Sequence, residues 1–394
     1  MSKQSAGRKR RIAVVTGTRA EFGLLEPVLR AMAASRRLEA RLIVTGMHLL
    51  PRFGRTIDQI RDAGWPVEAT VKMQTGRDAA AAEPVAVSRG IAGIARALDR
   101  LGCQIVLLLG DRIEAFAGAC AAAIGRRVLA HLHGGDRAVG DVDEALRNAI
   151  TRLAHLHLVA SKHAAQRLRR MGEPAWRIHR VGAPGLDDIR LFRNARRGPH
   201  RDTGGWLAET LGPIAAKPYA VVLQHPTGGT EDQEKAAMGC ILTAVQRCGL
   251  AGVVIYPNSD PGHRGIIQAI SELRDRNQWR RFRSLARIDY LRLLSRAAVL
   301  VGNSSSGIIE SGNMGINAVN VGARQEGRLR CGPNVIDANP NPAAVTRAIR
   351  QALDRPRPGR GPSAYGDGRA GHRVAGLLER LIITPRLLHK RLTY

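Results

Sequence analysis

The sequence has few cysteines, few aromatic residues and no long apolar run, and each shortage excludes a class of protein. Its 394 residues include five cysteines, an odd number with no C-x-x-C pair, which does not fit a disulfide scaffold. No apolar run could cross a bilayer, and the basic start MSKQSAGRKRR leads directly into the strand-like IAVVTGT, without the features of a signal peptide. We therefore expect reduced thiols, no membrane partner and a cytoplasmic protein.

Acidic residues are also scarce, with 33 Asp and Glu against 61 Lys and Arg, which gives a formal net charge of +28. Such an excess attracts anionic ligands and raises their encounter rate. Nucleic acid is one candidate, but the chain lacks aromatic interleaving and any recognisable nucleic-acid module. The arginines are scattered along the chain, and a compositional bias of the source genome explains their excess equally well. We expect no nucleic-acid partner.

Short, wholly apolar runs alternate with helical patterns along most of the chain. Strands buried on both faces have continuous apolar sequences, so this repeated pattern predicts α/β domains with parallel sheets covered by helices. The predicted strands are Ile12–Thr16, Leu38–Thr45, Ile105–Leu109, Val128–Leu132, Leu156–Ala160, Ala220–Gln224, Val253–Tyr256, Ala298–Val301 and Ala318–Val321. The predicted helices include Glu26–Ala34, Val87–Leu101, Ile113–Ile124 and a last one from about His372 to Arg386.

The alternating pattern is interrupted between about Arg190 and Lys217, where Arg, Gly and Pro are frequent. Because 394 residues exceed what one core usually serves, this stretch is interpreted as an interdomain connection with a short helix. The predicted domains are residues 1–195 and 196–370, followed by a C-terminal helical segment, residues 371–394.

One stretch, VLVGNSSSGIIESGNMG, has the order strand, small polar turn and helix start that forms anion sites in α/β proteins. Ser304, Ser305 and Ser306 add hydroxyl donors for phosphate. Glu310, one turn into the predicted helix, offers a carboxylate to a ribose diol. Together they indicate a nucleotide, although a lone SSSG is more often an ordinary helix cap.

The first glycine-rich loop, VVTGTRAEFG, lacks the G-x-G-x-x-G spacing of a dinucleotide site. We therefore expect no nicotinamide cofactor. Arg19 stands at the start of the first helix, where it could bind a phosphate, or it could be a surface arginine paired with Glu21.

The loop LLLGDRIEAF places Asp111 and Arg112 after a wholly apolar strand. A carboxylate at the carboxyl end of a strand is a candidate acid or base, and Arg112 beside it is a candidate substrate contact. The alternative is that Asp111 caps the helix that follows.

The densest polar segment is HLHGGDRAVGDVDEALRNAIT. Two histidines with carboxylates could bind a metal, whereas the simpler interpretation is a capped helix with an acidic first turn and an internal salt bridge to Arg147. That simpler interpretation does not explain the HGGD. The charged and imidazole residues considered are His131, His133, Asp136, Asp141, Asp143, Glu144 and Arg147.

Three loops of the second half carry polar residues after predicted strands: His225 in QHPTGG, Asn258 in YPNSD and Arg324 in ARQEGR. Each alone is an ordinary turn. Ligands of parallel α/β folds bind beyond the carboxyl ends of the strands, so six such loops in two halves are better explained by one shared cleft.

In content and order, these loops resemble the UDP-N-acetylglucosamine 2-epimerases, particularly the hydrolysing branch that supplies sugars for sialic and legionaminic acid synthesis. The motifs run from TGTRAEFG through LGDRIEAFA and HLHGGDRAVGDVDEALRNAIT to QHPTGG, VGNSSSGIIE and ARQEGR. The resemblance implies a glycosyltransferase-B-like α/β fold, with two Rossmann-like domains whose parallel sheets face across a cleft. It also implies that the second domain holds UDP, that the last helix returns to the first domain, and that neither metal nor cofactor is needed.

The resemblance assigns roles by motif position. The UDP side comprises Arg19, His225, Ser304, Ser305, Glu310 and Arg324, to which the loop analysis adds Arg112, Asn258 and Ser306. The residues implied around the sugar are Asp111, His133, Asp143, Glu144 and Arg147 as catalytic groups, with His48 of VTGMHLL nearby.

Three positions depart from the family pattern, all on the sugar side. Asp136 stands where many members of the branch have the glutamate of HGGE. His133 occupies a position where members outside the branch often have glutamate. Asn148 follows Arg147 where an Arg-His pair is usual.

The predicted activity is a hydrolysing UDP-N-acetylglucosamine 2-epimerase, or a close UDP-acetamido-sugar 2-epimerase. It would eliminate UDP to a 2-acetamidoglucal, then hydrate that alkene to an N-acetylmannosamine-type sugar. The alternatives are a non-hydrolysing epimerase that returns UDP-N-acetylmannosamine, a glycosyltransferase of the same fold, and a non-catalytic UDP-sugar-binding protein. We expect self-association into a dimer or tetramer.

Overall fold

A computed structural model describes residues 9–75, 81–138, 142–195, 202–359 and 363–393. Asp141, one of the carboxylates considered above, lies outside these ranges.

The chain forms two compact units, each made of segments that are not all contiguous in sequence. The first unit comprises Met1–Asp136, Ala145–Asp187 and Gly368–Tyr394, and the second Arg137–Glu144 and Asp188–Asp367. The last segment of the chain therefore belongs to the same unit as its first strand.

The first unit is organised around a seven-stranded sheet in which every neighbouring pair of strands is parallel. Its strand order is β3-β2-β1-β4-β5-β6-β7. The strands are β1 Arg10–Thr16, β2 Leu38–Thr45, β3 Val67–Val71, β4 Ile105–Leu109, β5 Val128–Leu132, β6 Leu156–Val159 and β7 Ile178–Arg180.

The second unit contains a six-stranded parallel sheet in the order β10-β9-β8-β11-β12-β13. Its strands are β8 Tyr219–Leu223, β9 Ala251–Ile255, β10 Trp279–Phe282, β11 Val299–Gly302, β12 Ala318–Val321 and β13 Val335–Ala338.

Helices connect the strands, as parallel pairing requires. The α-helices of the described residues are α1 Arg19–Ala33, α2 Ile57–Asp62, α3 Ala82–Leu101, α4 Ile113–Ile124, α5 Asp143–Leu153, α6 Lys162–Arg170, α7 Gly185–Asn194, α8 Thr203–Leu211, α9 Glu231–Arg247, α10 His263–Ser271, α11 Arg287–Arg296, α12 Ser305–Ile309, α13 Ser311–Met314, α14 Pro342–Asp354, α15 Ala370–Arg380 and α16 Pro385–Leu388.

Both faces of the first sheet are buried, which accounts for its continuous apolar strands. On β1, Val14 packs with Leu25 of α1 and Val374 of α15 in one core, whereas Val15 packs with Ile94 of α3 in the other. The prediction of α/β architecture with two parallel-sheet Rossmann-like domains is therefore confirmed.

Three of the predicted helices have other bounds in the structure. The first begins at Arg19, as the loop analysis placed it, rather than at Glu26, because Thr18 caps it and Pro27 is accommodated inside it. The second begins at Ala82 rather than at Val87. The last predicted helix is two: α15 ends at Arg380, and α16 starts at Pro385 after a Thr384 cap. The residue before a proline disfavours helical backbone, which separates the two segments.

Among the helices in the described part of the chain, not one combines the length and apolar content needed to cross a membrane.

Candidate active site

In the first unit, polar groups gather where β4 and β5 end. Asp111, two residues after β4, forms an ion pair through Oδ2 with the Arg147 guanidinium of α5. Arg147 is 1% exposed, and its Nη1 also donates to the Asp136 carbonyl at 3.1 Å. The structure thus pairs Arg147 with Asp111 across the sheet edge.

His133, directly after β5, is held by the carboxylate of Asp136, with Nδ1 and Oδ2 2.9 Å apart. Both side chains are buried. His133 has a φ of +62°, a left-handed conformation that is unfavourable for a residue with a Cβ. Strain of this kind, about 1–3 kcal/mol, persists where the surrounding structure enforces it and is frequent at active sites. The HGGD that the helix-cap interpretation left unexplained therefore shapes this imidazole–carboxylate pair.

His131 faces the interior instead. Its Nε2 lies 2.7 Å from the Gly110 carbonyl oxygen, so this nitrogen donates, and burial lowers the pKa of His131 to about 3. The two histidines of the H-x-H therefore have separate partners. Among the described residues, no group of three or more His, Cys, Asp or Glu side chains is arranged to hold a metal.

Arg19 and His48 lie at the ends of β1 and β2. Arg19 Nε donates to Gln59 Oε1 at 2.8 Å. His48 is buried, with Nε2 3.1 Å from Thr16 Oγ1 and Nδ1 2.7 Å from Thr56 Oγ1. Burial, with Arg19 nearby, lowers the pKa of His48 to about 3. Because both ring nitrogens of His48 are engaged, the geometry here supports a structural role rather than contact with a sugar.

In the second unit, Asn303 joins three of the predicted loops. Its amide exchanges two hydrogen bonds with the His225 backbone, at 2.7 and 2.8 Å, and it is fully buried. The backbone carbonyl oxygen of Asn303 accepts from Arg324 Nη1 at 3.4 Å and from Gln325 Nε2 at 2.8 Å. The backbone N–H of Asn258 donates to His225 Nδ1 at 3.3 Å, which places the proton of a neutral imidazole on Nε2.

Residues 137–144 belong to this second unit, where Arg324 Nη2 lies 3.5 Å from Asp143 Oδ2. Glu144 is half-buried in the first turn of α5. The structure therefore brings Asp143 to Arg324, while Arg147, one turn along α5, is paired with Asp111.

The turn Ser304–Ser306 makes hydrogen bonds within the protein that its sequence does not indicate. Ser304 caps α12, its Oγ accepting from Ser306 N at 3.3 Å. Ser306 Oγ donates to Glu310 Oε2 at 2.7 Å and is contacted by the Tyr290 hydroxyl at 2.8 Å. The hydroxyl of Ser306 therefore makes its hydrogen bonds within the protein, so of the three serines Ser304 and Ser305 are the candidates for a phosphate contact.

Glu310 does not lie inside a continuing helix, as the sequence suggests, because α12 has five residues and ends at Ile309. Glu310 is the residue between α12 and α13. Its buried carboxylate is bound at both oxygens by Arg287, with Nη2–Oε1 at 2.8 Å and Nη1–Oε2 at 3.0 Å. Burial alone would lower the pKa of Arg287, but the adjacent Glu310 carboxylate outweighs burial and raises it.

Sequence reasoning missed Arg287, Tyr290 and Glu234. Glu234 is 1% exposed, and its Oε1 accepts from Thr227 N at 2.6 Å and Gly229 N at 3.2 Å, which shapes the loop after β8. A glutamate in the first turn of α9, behind a Gly-Gly loop, was the available signal for Glu234. The sequence around Arg287 offered none.

Two Rossmann-like domains with polar loops at the carboxyl ends of their strands define a glycosyltransferase-B-like, nucleotide-sugar class of enzyme. The family model for UDP-N-acetylglucosamine 2-epimerase matches residues 30–379. The chain belongs to the UDP-N-acetylglucosamine 2-epimerase family, and the resemblance found in the sequence is confirmed.

Curated relatives extend over nearly the whole chain. The UDP-N,N'-diacetylbacillosamine 2-epimerase (hydrolyzing) of Legionella pneumophila is 34% identical over 97% of this chain and 98% of that protein. The UDP-N-acetylglucosamine 2-epimerase of Neisseria meningitidis serogroup B is 32% identical over 87% of each. The GDP/UDP-N,N'-diacetylbacillosamine 2-epimerase (hydrolyzing) of Campylobacter jejuni is 27% identical over 84% of this chain and 85% of that protein.

Solved structures share the fold. A crystal structure of Methanocaldococcus jannaschii UDP-GlcNAc 2-epimerase in complex with UDP-GlcNAc and UDP has a TM-score of 0.75 at 14% identity. The match covers 93% of this chain and 99% of that one. This similarity confirms the predicted fold class.

Proposed function

We propose that this protein is a hydrolysing 2-epimerase of a UDP-2-acetamido sugar, releasing UDP and the 2-epimeric free sugar. One observation carries the chemistry. Arg147 bridges the Asp111 carboxylate and the carbonyl of Asp136, the residue that holds His133. A fixed carboxylate and a fixed imidazole are the groups that proton removal and return at one carbon require.

The C2 hydrogen of the sugar is not next to a carbonyl, so simple deprotonation is unfavourable. In the proposed first step a base removes the C2 proton, and the C2–H electron pair forms the C1=C2 double bond. The C1–O bond breaks, and its electrons leave on the diphosphate of UDP. Water then adds its oxygen to C1, and a proton is delivered to C2 on the opposite face.

Asp111 and either Asp143 or Glu144 are the proposed acid and base, with His133 assisting. Asp111 is fixed by Arg147 yet keeps 21% of its side chain exposed, so it remains reachable. Because Asp136 engages Nδ1 of His133, the Nε2 is the ring nitrogen left to exchange a proton.

The second unit supplies the groups proposed to hold UDP and stabilise its departure. Arg324 and the serines Ser304 and Ser305 would bind the phosphates as charge develops on the leaving oxygen. Glu310, oriented by its two hydrogen bonds from Arg287, would accept from the ribose hydroxyls. His225, Asn258, Arg19 and Arg112 complete the proposed binding set, with Ser306 supporting Glu310.

The names of two relatives favour a 2,4-diacetamido-6-deoxy sugar as substrate, since one is described as a hydrolysing UDP-N,N'-diacetylbacillosamine 2-epimerase and the other as a hydrolysing GDP/UDP-N,N'-diacetylbacillosamine 2-epimerase. Plain UDP-N-acetylglucosamine is the second candidate, given the name of the meningococcal relative. Asp136, one methylene shorter than the glutamate of HGGE, is the residue through which such a preference could arise.

The test is incubation of purified protein with each UDP-sugar in deuterium oxide, followed by mass spectrometry and NMR of the products. We expect free UDP, a mannose-configured sugar and one deuterium at C2. Release of UDP without inversion at C2 contradicts the proposal. A UDP-linked epimer as product identifies the non-hydrolysing reaction, and binding of UDP without turnover identifies a sensor.

The cellular setting is part of the same proposal. We propose a cytoplasmic homo-oligomer that supplies an amino sugar for sialic or legionaminic acid. The free thiols of all five cysteines support the cytoplasmic location. The sugar-supply role is supported by a 27% identical relative from Escherichia coli named polysialic acid biosynthesis protein P7. Light scattering of the purified protein would distinguish a dimer or tetramer from a monomer.

A further inference from the structure

Glu114, a residue with no role in the reaction described above, is buried in the first unit. It lies in the first turn of α4, three residues after Asp111, and is fully buried. Its Oε1 has no hydrogen-bond partner among the described residues. A carboxylate is expensive to bury, so its retention at the carboxyl edge of a sheet needs an explanation.

The fold leaves space for this side chain at two glycines. Strands β1 and β2 both end in Val-Thr and are followed by Gly17 and Gly46. A Cβ on Gly17 would lie 2.5 Å from Glu114 Cγ, and one on Gly46 would lie 2.4 Å from Glu114 Oε1. Gly46 also has a φ of +61°, which favours glycine. Any other residue at either position would displace the Glu114 carboxylate.

A second buried carboxyl group lies beside Gly17. Glu21 of α1 is 6% exposed, and its Oε2 accepts from Gly17 N at 2.7 Å. Burial, with Glu114 adding to it, raises the pKa of Glu21 to about 8. At neutral pH Glu21 therefore carries its proton.

Glu114 Oε2 accepts from Arg112 Nε at 3.3 Å in an ion pair with little exposure on either side chain. Arg112 neighbours Asp111 in sequence and is the N-terminal cap residue of α4. We propose that Glu114 is a positioning residue that orients the Arg112 guanidinium, and that Gly17, Gly46 and Glu21 form the socket that keeps Glu114 in place. This inference deepens the proposed function, in which Arg112 contacts the UDP-sugar.

Because Glu21 is part of this socket, the orientation of the Arg112 guanidinium is sensitive to alkaline pH. The charged groups that act on Glu21 are Glu114 and Arg112, both on α4. Above about pH 8 the loss of the Glu21 proton places a second negative charge beside Glu114. That charge competes for Arg112 and weakens its alignment.

Kinetics of four variants test the inference, with Glu26→Gln as the matched control on the same helix as Glu21. We expect Glu114→Gln to raise KM about tenfold, the value of one charge-assisted hydrogen bond, with a smaller change in kcat. We expect Arg112→Lys to have a similar effect and the double variant to be no worse than Arg112→Lys alone. Glu21→Gln should keep neutral activity and lose the fall in kcat/KM above about pH 8.

Additive losses in the double variant would show that Glu114 does not act through Arg112, and an unchanged alkaline limb in Glu21→Gln would remove Glu21 from the socket. A readout without turnover separates this inference from the proposed function. The Arg112 Nε–H resonance, assigned by its disappearance in Arg112→Lys, should be sharp in the intact protein and in Glu26→Gln. It should broaden or shift in Glu114→Gln even if no UDP is released. An unaltered Arg112 resonance in Glu114→Gln overturns the inference.

Discussion

Arg287 binds Glu310 through both of its terminal nitrogens, with Nη2 2.8 Å from Oε1 and Nη1 3.0 Å from Oε2. The carboxylate is 3% exposed, and Ser306 Oγ donates a further hydrogen bond to Oε2 at 2.7 Å. The proposed ribose anchor is therefore oriented before a nucleotide arrives, which reduces the ordering cost of binding. Its orientation depends on a planar guanidinium that matches both oxygens.

We predict that Arg287→Lys weakens UDP affinity about tenfold, because an ammonium keeps the charge but not the two-point geometry. Arg287→Ala should lower the free energy of unfolding by about 3–5 kcal/mol, since it leaves a buried carboxylate without its cation. Calorimetric UDP titration and denaturant unfolding measure the two effects. Arg296→Ala, an exposed arginine on the same helix, is the control and should change neither.

The second prediction concerns the ion pair between Asp111 and Arg147. Asp111→Asn removes one of the two proposed acid–base groups, so kcat for UDP release should fall by a factor of about 10²–10⁴. Deuterium incorporation at C2 should fall in parallel. A fully active Asp111→Asn enzyme would remove Asp111 from the mechanism.

A variant at Arg147 separates a loss of folding stability from a loss of catalytic rate. Asp111→Asn leaves a buried guanidinium without its carboxylate, so some loss of stability is expected along with the loss of rate. Arg147→Met, which removes the buried cation instead, should reduce kcat while Asp111 remains present. If Arg147→Met is as active as the parent protein, the bridge from Asp111 to Asp136 is not needed for turnover.

The sequence predicted the central strands of both sheets and missed the edges. Bounds for β2, β4, β5 and β12 agree with the structure, and the other predicted strands are shifted by one or two residues. The strands without a prediction are Val67–Val71, Ile178–Arg180, Trp279–Phe282 and Val335–Ala338, which are the four edge strands of the two sheets. An edge strand pairs on one side and is partly solvated, so it lacks the continuous apolar run that identified the others.

The same reasoning explains which site residues the sequence could indicate. Asp111 and His133 lie within two residues of the ends of apolar strands, so their position is apparent from the strand alone. Arg287 lies 23 residues before Glu310 on an amphipathic helix, where nothing local distinguishes it from a surface arginine. His48 is the reverse case. Its motif suggests contact with substrate, but in the fold both of its ring nitrogens are hydrogen-bonded to threonine hydroxyls. Contacts between distant segments decide both cases.

A third prediction uses the raised pKa of Glu21. Its ordinary value is 4.5 and its value in the folded protein is about 8, so between these the folded state binds the proton and the unfolded state does not. The stability that this proton contributes is full below about pH 4.5 and is lost as pH rises through about 8. Glu21→Gln, which is neutral in both states, should therefore raise the melting temperature at pH 9 relative to the parent protein. At pH 4 the two should melt together, and Glu26→Gln should follow the parent at both values.

A fourth prediction separates the backbone strain at His133 from the chemistry of its ring. The residue has a φ of +62° directly after β5, and its Nδ1 is 2.9 Å from Asp136 Oδ2. His133→Ala and His133→Gly both remove the imidazole, so both should lose the proton-transfer contribution to kcat. They differ in the left-handed conformation, which glycine adopts without penalty and alanine does not. The glycine variant should therefore be more stable than the alanine variant by about 1 kcal/mol in denaturant unfolding, although both have a reduced kcat. Equal stabilities would mean that the backbone relaxes once the ring is absent. A glycine variant with the kcat of the parent protein would mean that the imidazole takes no part in the reaction.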